Sequence, residues 1–558
     1  PVAVSLITPR LPDGHDALEY FPRLEEFHEN ISHGILFPRW APDLSRGTGQ
    51  PLFEFNPPVI YYLSEFWHLA GFDFLTSVNL AAATLVLASA AGMFLLCRLY
   101  FGPWGGWLGT AAYLYAPYFA VDLYVRSALA EFAAFPFFAL ALYGSGGYAR
   151  TGRRGYLLAG AAAYAGVLLS HNAAALLFTP LLIAFLVFTA WTAHSWRLLR
   201  HQAYGFLLGL GLGACVWLPS LAERQYVGLA RLLAGYLNYK NHFVYLHQLF
   251  YSPWGYGISV AGDQDGLSFA LGWSHLLLAV TAAIWILWSR RRAHRPWLLF
   301  FAGAAAGLSI LMLDVAAPLW DRMPLLQPVE FPWRLLGPVA LCVALLVAPL
   351  GALIGTLPRW RAGALTAALA LLILPGLAHC QPWRFRDMDL ALWTPQRIAM
   401  RGIEVTTAAE YVPRWVKSWP AYDPRPARIP GGEAVVQQGR LTPVSWSGRI
   451  RTAAGGTAEM PIAWFPGWVV RIDGLPVPTQ PADPTGLIRF RVPAGEHALD
   501  AEWTRTPPRR LADGITLLSL GILLFVAIRS VRPVLSPVFP WLALTWDSLG
   551  EKQLDGSS

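Results

Sequence analysis

Acidic and imidazole side chains crowd one short segment near the start of the chain. Asp13-Gly14-His15-Asp16 places two carboxylates and an imidazole within four residues, and Glu19 follows. Such a group can share a proton with a substrate hydroxyl or hold a divalent cation such as Mg²⁺ or Mn²⁺. On a helix, Asp13 and Asp16 would share a face. The competing interpretation is structural, with Asp13 capping the helix that follows.

Charged and polar side chains also stand at the ends of several apolar segments. Ionisable groups at membrane depth are costly to insert, so they usually face the helix bundle and serve a function. A guanidinium group can bind phosphate through two parallel hydrogen bonds, which makes Arg126 and Arg334 candidates for anion binding. Each could instead form a structural ion pair, Arg126 with Glu131 and Arg334 with Glu330.

These residues make up the predicted site. Asp13 and Asp16 are the predicted catalytic carboxylates, and the cation ligands if a metal ion binds. The predicted substrate-binding residues are His15, Glu19, Arg39, Arg126, Glu131, His171, Asn172, Glu330 and Arg334.

A long polar segment, residues 223–268, carries many aromatic and histidine side chains. Aromatic residues at a membrane–water interface usually anchor a protein there. A lid that cradles a sugar or a lipid is the second interpretation. His242 and His247 have no neighbouring acid to complete a zinc triad, so the sequence predicts no zinc site in this segment.

The elements that must position these residues are apolar stretches of membrane-spanning length. The polar pair at 171–172 divides one stretch that is too long for a single helix. Because a helix needs about 20 apolar residues to cross a bilayer, the sequence predicts an all-α polytopic membrane bundle with about eleven visible spans. The predicted spans are 75–97, 104–121, 128–148, 155–169, 173–191, 202–221, 269–288, 297–317, 333–356, 362–379 and 511–530.

Arginine-rich loops alternate with acidic and aromatic loops along the chain. Because short cytoplasmic loops carry an excess of lysine and arginine, this alternation predicts a multi-pass protein of the bacterial inner membrane. We expect a first helix to be missing before the loop at residue 9, since the following span would otherwise have to export that loop. The basic loops include Arg98, 150–154, 197–200, 290–295 and 359–361, and the predicted extracytoplasmic segments are 9–74, 222–268 and 380–510.

The composition agrees with a membrane protein. Hydrophobic residues make up 55% and charged residues 14% of the chain, whereas soluble domains carry about 25% charged residues. The net charge of +8 could suggest a nucleic-acid partner. The topology rule already explains arginines at helix ends, so we expect no nucleic acid. The four cysteines form no CxxC motif, and we interpret them as small core residues.

The region from 381 to 510 differs from the rest, with frequent prolines and short alternating runs. Residues 468–473 run into an Asp-Gly turn at Gly474, and similar runs follow at 487–492 and 497–503. This pattern predicts a small extracytoplasmic β-sandwich. The predicted divisions are a first extracytoplasmic loop with short helices (1–74), the transmembrane bundle (75–379), the β-rich domain (380–510), a last transmembrane helix (511–530) and a cytoplasmic tail (531–558).

A set of short motifs resembles a polytopic bacterial family. These motifs are Asp13-Gly-His-Asp-Ala-Leu-Glu-Tyr20, Trp40-Ala-Pro-Asp-Leu44, Gly47-Thr-Gly-Gln-Pro-Leu-Phe53, Ser170-His171-Asn172, Leu326-Gln-Pro-Val-Glu-Phe-Pro-Trp-Arg334 and Pro466-Gly-Trp468 with Val492-Pro-Ala-Gly-Glu-His497. The family carries the label "6-pyruvoyl-tetrahydropterin synthase-related" and is akin to multispan proteins of envelope glycosylation. A pterin synthase uses a zinc–histidine cluster, and no such spacing occurs here.

That family is similar to the GT-C class of glycosyltransferases. The resemblance implies a multispan bundle, an acidic residue in the first outer loop and a polyprenyl-phosphate sugar as donor. Asp13 or Asp16 matches the first-loop acid, and Arg126 and Arg334 would contact the donor phosphate by analogy. In that class a first helix normally positions this loop, and it is this helix that we expect to be missing here.

The sequence therefore favours an enzyme that transfers a hexosyl or pentosyl group at the outer leaflet. Its partners would be membrane lipid, a polyprenyl-phosphate sugar donor and an envelope glycan or protein acceptor. The same buried charges could serve a transporter or flippase of a lipid-linked substrate, but no paired broken helices are apparent. A non-catalytic assembly factor, whose β-domain binds an envelope polymer, is the third hypothesis.

Overall fold

The computed structural model describes residues 2–288, 294–403, 405–422, 427–429, 435–437 and 439–535. Arg290, Arg291 and Arg292 of one predicted basic loop, and residues 536–558 of the predicted tail, lie outside these residues. The main helices are α1 (Tyr20–Ser32), α2 (Val59–Leu69), α3 (Phe74–Leu114), α4 (Phe135–Thr151), α5 (Arg154–Leu168), α6 (Asn172–Thr192), α7 (Trp196–Leu212), α8 (Ala214–Glu223), α9 (Trp273–Trp288), α10 (Arg295–Met312), α11 (Leu336–Val347), α12 (Leu350–Gly355), α13 (Arg361–Leu377) and α14 (Pro507–Leu535).

The chain is a multi-pass membrane protein. Among the described residues, six helices are long and apolar enough to cross a membrane, and α7 with α8, bent by 66°, can add a seventh span. Every predicted span overlaps a helix. Fewer than eleven described helices are long and apolar enough to cross a membrane, in part because α3 contains two predicted spans. In addition, α5 and α13 have only 15 and 17 residues, which makes them shorter than the ~30 Å bilayer core, and the described part of α9 has 16.

The helix α3 reverses direction inside its own length. Gly102 adopts a φ of +72° and Pro103 follows it, so the helix breaks there. After the break the chain returns along itself, with the Phe94 and Trp107 rings 5.1 Å apart. The sequence predicted this turn from Arg98 and the residues that follow.

Small residues allow the helices to pack closely. A Cβ atom on Gly144 of α4 would lie 2.3 Å from the backbone of Gly160 in α5. Gly209 approaches the carbonyl of Ala161 in the same way, and Gly211 approaches Ser519 of α14. Membrane helices commonly use such residues at their interfaces, because lipid offers no hydrophobic force to join them.

The first loop folds differently from the predicted capped helix. The helix α1 begins at Tyr20, and Asp13 does not cap it. Instead, strand β1 (Leu11–Pro12) pairs antiparallel with β2 (Phe385–Arg386). This pairing brings the arginines of the later strand to Asp13, and a carboxylate gains more from two guanidinium groups than from one cap.

The C-terminal region forms two antiparallel sheets, as predicted for a β-sandwich. One sheet has the order β6-β10-β9, and the other has the order β3-β5-β11-β7-β8, with β4 also on β5. The Asp473-Gly474 turn has φ angles of +52° and +80° and joins β7 to β8. The strands are β3 (Val435–Gln437), β4 (Arg440–Thr442), β5 (Ser445–Thr452), β6 (Gly456–Ala463), β7 (Trp468–Ile472), β8 (Leu475–Val477), β9 (Gln480–Pro481), β10 (Leu487–Val492) and β11 (Gly495–Trp503).

The first loop is attached to this β-domain by an aromatic side chain and an ion pair. Trp40 is fully buried, and its ring lies 4.7 Å from that of Trp503. Arg440 of β4 donates to Asp43 at 3.0 Å. The first loop is therefore held between the helix bundle and the β-domain.

A buried charge network ties the last helix to the bundle. The Arg509 side chain is fully buried and lies 2.6 Å from Glu223 and 3.4 Å from Glu54. Its guanidinium also lies 4.3 Å from the centre of the Trp503 ring. Glu54 in turn binds Arg39 at 2.8 Å, so two arginines share this carboxylate.

We expect Arg509→Met to lower the free energy of unfolding by about 3–5 kcal/mol, because it leaves buried carboxylates without their cation. Thermal and denaturant unfolding of the purified protein in detergent would measure the loss. Arg510→Met is the matched control, since Arg510 is exposed and surface changes usually stay within about 0.5 kcal/mol. Equal losses of unfolding free energy in the two variants would contradict the stabilising role of the Arg509 ion pairs.

Candidate functional site

The first loop, several helix ends and the segment 405–411 enclose a cavity of about 820 Å³, here called the main cavity. Of the predicted site residues, all but Asp13 and Arg39 line it. Its charged lining residues are Asp16, Glu19, Arg23, Arg126, Glu131, Arg224, Glu330, Arg334 and Glu410. The first-loop acid and both candidate phosphate-binding arginines therefore share one space.

Backbone hydrogen bonds fix the acidic segment of the first loop against a π-helical turn, Val121–Arg126. His15 and Asp16 donate their N–H groups to the carbonyls of Val125 and Arg126, at 3.1 and 2.8 Å. Single π-helical turns often occur at functional sites. The contact places Asp16 beside the base of the Arg126 side chain.

The two predicted catalytic carboxylates have different surroundings. Asp13 lies 2.6 Å from Arg384 and 2.9 Å from Arg386. Burial opposes ionisation of Asp13, but these two guanidinium groups keep its pKa below the ordinary value. Asp16 lines the main cavity, and its carboxylate has no hydrogen bond or ion pair with any described residue. Of the two, only Asp16 has a carboxylate available to a ligand.

Arg126 is held on one side and open on the other. Its Nη1 donates to Asp122, to Glu131 at 2.9 Å and to the Tyr118 hydroxyl at 3.2 Å. Its guanidinium stacks 4.7 Å from the centre of the Trp333 ring. Among the described residues, no hydrogen bond uses its Nη2 or Nε, which leaves the N–H groups of these two nitrogens for a ligand.

Arg334 shares the same carboxylate. Its Nε lies 3.0 Å from Glu131 Oε2, while its Nη2 is 3.8 Å from Glu330. Its Nη1 donates to the Val329 carbonyl at 2.6 Å. The predicted pair between Arg334 and Glu330 is therefore the looser one, and the pair with Glu131 is the closer.

Glu330 occupies an unusual backbone position. Its φ angle is +68°, in a region that non-glycine residues rarely adopt. Burial raises its pKa to about 7, although Arg334 opposes the shift. Such strained residues cluster at active sites and switch regions. Glu330 can therefore change its charge near neutral pH within the main cavity.

Glu19 forms a second titrating group, paired with Arg23. Burial raises the pKa of Glu19 to about 7, against the opposing charge of Arg23. Arg23 binds Glu19 and also donates through Nε to the Val405 carbonyl at 3.1 Å. This arginine therefore connects the first loop to the segment 405–411.

The remaining predicted residues line the cavity through specific contacts. His15 Nε2 lies 3.2 Å from the Tyr256 carbonyl. His171 caps α6 by accepting from Ala174 N–H at 3.2 Å. Asn172 donates to the Phe55 carbonyl at 2.8 Å. Each contact fixes a side chain at the cavity wall.

Arg39 does not reach the main cavity. It binds Glu54 and, at 3.2 Å, Asp513 of α14, in the buried network described above. A buried arginine with two carboxylates has a structural role here. For the predicted cation, no group of three or more metal-ligating side chains occurs among the described residues, and Asp13 and Asp16 do not form a common pair.

Several lining residues are not among the predicted ones. Tyr20 begins α1 and Arg23 lies one turn further along it, while Glu410 and Tyr411 come from the segment before the β-domain. The only signal was the charge of Arg23 close to Glu19. Nothing in the sequence indicates that residues so distant along the chain close the same cavity.

No family model and no curated protein matches the sequence, so the resemblance to the 6-pyruvoyl-tetrahydropterin synthase-related family is without that support. One similar solved structure is ArnT from Cupriavidus metallidurans bound to undecaprenyl phosphate. The identity is 17%, the TM-score is 0.41, and the match covers 68% of this chain and 62% of that one. The match thus spans less than two thirds of the length of ArnT.

Gly14 allows the first loop to approach the π-helical turn. A Cβ atom at this position would lie 2.1 Å from Ser127 Oγ. We expect Gly14→Ala to destabilise the protein by about 1–3 kcal/mol through overpacking. Ser127 has a φ of +52°, which glycine adopts easily, so Ser127→Gly should recover part of the loss in the double variant. Unfolding midpoints of the single and double variants would measure these changes. If the effects of the two substitutions simply add, the close contact between Gly14 and Ser127 is contradicted.

Proposed function

We propose that this chain is a glycosyltransferase of the bacterial inner membrane. It transfers a hexosyl or pentosyl group from a polyprenyl-phosphate donor to an envelope glycan or protein acceptor at the outer face. The observation that carries the proposal is the main cavity, in which the unpaired Asp16 carboxylate shares one space with Arg334 and with Arg126, whose Nε and Nη2 make no hydrogen bond to a described residue. The GT-C resemblance of the motifs agrees with it.

The shape of the main cavity suits a lipid phosphate. Beyond its charged end, the cavity continues along apolar side chains of the membrane helices. Leu176 and Pro180 on α6 lie on this apolar arm, together with Leu168 of α5 and Leu210 of α7. A prenyl chain can occupy the arm while its phosphate meets the arginines, because hydrocarbon and anion are then each in a favourable environment.

The charge balance of the main cavity depends on pH. Five carboxylates and four arginines line it. A phosphate would therefore meet a net negative site if every group were ionised. Protonation of Glu19 and Glu330, whose pKa values burial raises to about 7, leaves the arginines in excess. Neutral Glu330 also removes a competitor for Arg334.

The proposed reaction gives each of these groups one role. Asp16 accepts the proton of the acceptor hydroxyl as its oxygen bonds to the anomeric carbon of the sugar. The bond between that carbon and the phosphate oxygen breaks, and its electron pair leaves with the polyprenyl phosphate. Arg126 and Arg334 stabilise the negative charge that develops on this phosphate, since charge-assisted hydrogen bonds are stronger than neutral ones.

Asp16→Asn should reduce sugar transfer by about 10²–10⁴-fold, the range for loss of a general base. Asparagine keeps the shape and removes the charge, so expression and donor binding should persist. Transfer from a radiolabelled polyprenyl-phosphate sugar to envelope acceptor in membrane vesicles would measure the rate.

Asp13→Asn is the matched control for this prediction. It breaks the ion pairs with Arg384 and Arg386, so it should lower the unfolding midpoint and leave most of the transfer activity. If Asp13→Asn abolishes transfer while Asp16→Asn leaves most of it, the general base is Asp13. A loss of lipid translocation, with transfer absent from the wild type, would favour the flippase hypothesis.

Binding of the donor should weaken as the pH rises through 7. The folded-state pKa of Glu330 is raised to about 7, so the group is neutral below this pH and charged above it. If binding requires the neutral form, affinity at pH 8 falls about tenfold from its low-pH value. Calorimetry with a phosphodiester donor analogue, which does not titrate in this range, would measure the profile. Glu330→Gln should reduce the slope and leave only the contribution of Glu19, whose pKa is also about 7, and an unchanged slope in that variant would contradict a role for Glu330.

A further inference from the structure

A second cavity lies between α9 and α13, away from the charged groups. It has a volume of about 790 Å³ and is lined mainly by aromatic and aliphatic side chains. None of its described lining residues is an aspartate, glutamate, lysine or arginine. We propose that this groove, here called the lateral groove, binds one acyl chain of a bilayer phospholipid that enters sideways from the membrane.

The mouth of the groove is continuous with the membrane-facing surface. Leu277 of α9 and Leu371 of α13 line the groove and are also exposed. On the same helices, Val280 and Leu374 continue the exposed apolar surface beyond it. A hydrocarbon chain can therefore pass from the bilayer into the groove without crossing a polar surface.

The groove also has a polarity gradient that fits an amphiphile. Trp273 and Tyr251 stand exposed at one end, where aromatic side chains mark the level of lipid headgroups. Leu277 lies one helical turn, about 6 Å, deeper along α9. The headgroup of a phospholipid would thus stay at the aromatic end while its chain extends toward Leu277.

The hydroxyl groups of Ser252 and Ser268 in the groove are already used within the protein, which leaves few partners for a sugar. Ser252 Oγ accepts from Phe269 N–H at 3.2 Å, and Ser268 Oγ donates to the Ser252 carbonyl at 2.9 Å. The ring of His379 stacks on Trp254 at 4.0 Å. A ligand with many hydroxyl groups would lose its water contacts there and find few partners.

A prenyl chain of the proposed donor is not the expected occupant, because the main cavity has its own apolar arm along α6. The segment 252–259 separates the two spaces, with Trp254 facing the lateral groove and Ser259 facing the main cavity. Tyr256, between them, holds His15 through its carbonyl. An acyl chain in the groove would support this shared wall, and the inference does not depend on sugar transfer.

The test uses the full chain in nanodiscs of phosphatidylglycerol and phosphatidylethanolamine, with a small fraction of phospholipid that carries a diazirine in its acyl chain. After illumination, mass spectrometry of peptides locates the adducts. We expect them to concentrate on residues 250–254, 270–277 and 371–379. Adducts spread evenly over the exposed faces of the membrane helices would overturn the proposal.

Two pairs of variants test whether the adducts come from lipid bound in the lateral groove. Ala270→Phe fills the groove and should reduce its adducts at least about fourfold, the fall that loss of one buried methylene group produces. Ala306→Phe, on an exposed position of α10, should leave them unchanged. If Ala270→Phe does not fold, Leu371→Ser serves in its place, with the exposed Leu374→Ser on the same helix as its control. Equal adduct yields within a pair would contradict the site.

A competition experiment distinguishes the two kinds of lipid. An equimolar polyprenyl phosphate should not displace the groove adducts, since its chain has the apolar arm of the main cavity available. Displacement would overturn the assignment to phospholipid and show that the groove takes the prenyl chain. Because this readout requires no sugar transfer, failure of the proposed function leaves it interpretable.

Discussion

The buried Glu131 carboxylate is the interaction on which the rest of the site depends. Its Oε2 lies 2.9 Å from Arg126 and 3.0 Å from Arg334, and its Oε1 accepts from the Tyr118 hydroxyl at 2.8 Å. Among the described residues, removal of this partner would leave Arg126 with the Asp122 carboxylate alone and Arg334 with only the 3.8 Å ion-pair contact to Glu330, and loss of one partner from a buried ion pair costs about 3–5 kcal/mol. One carboxylate thus joins two separate helix starts, and the cavity wall between them follows from it.

That sharing also explains how the arginines can hold the structure and still meet a ligand. Arg126 makes its hydrogen bonds through Nη1 alone, and the Phe331 and Trp333 rings, stacked at 4.8 Å, support both guanidinium planes. Cation–π contact fixes a guanidinium without occupying its N–H donors. The positive groups are therefore preorganised, which is what stabilisation of a developing phosphate charge requires.

The sequence predicted the apolar spans and the β-sandwich, because hydrophobic length and turn chemistry are local properties. The Asp473-Gly474 turn is one example. The sequence could not show which of Asp13 and Asp16 has a free carboxylate, since the arginines that bind Asp13 lie far along the chain, at positions 384 and 386. Arg39 was misplaced for the same reason, as its partner Asp513 lies in the last helix. Tertiary ion pairs between distant segments leave no periodic signal.

The two sides of the main cavity differ in how they are built, and this difference bears on the proposed reaction. The arginine side rests on membrane helices joined by Glu131. The opposite side is the segment 405–411, held by backbone contacts: Arg23 donates to Val405 and Arg231 donates to the Ala409 carbonyl at 2.7 Å. Loops on a rigid scaffold commonly carry specificity. A fixed helical side suits the constant lipid phosphate, whereas the loop side, continuous with the β-domain, suits recognition of the acceptor.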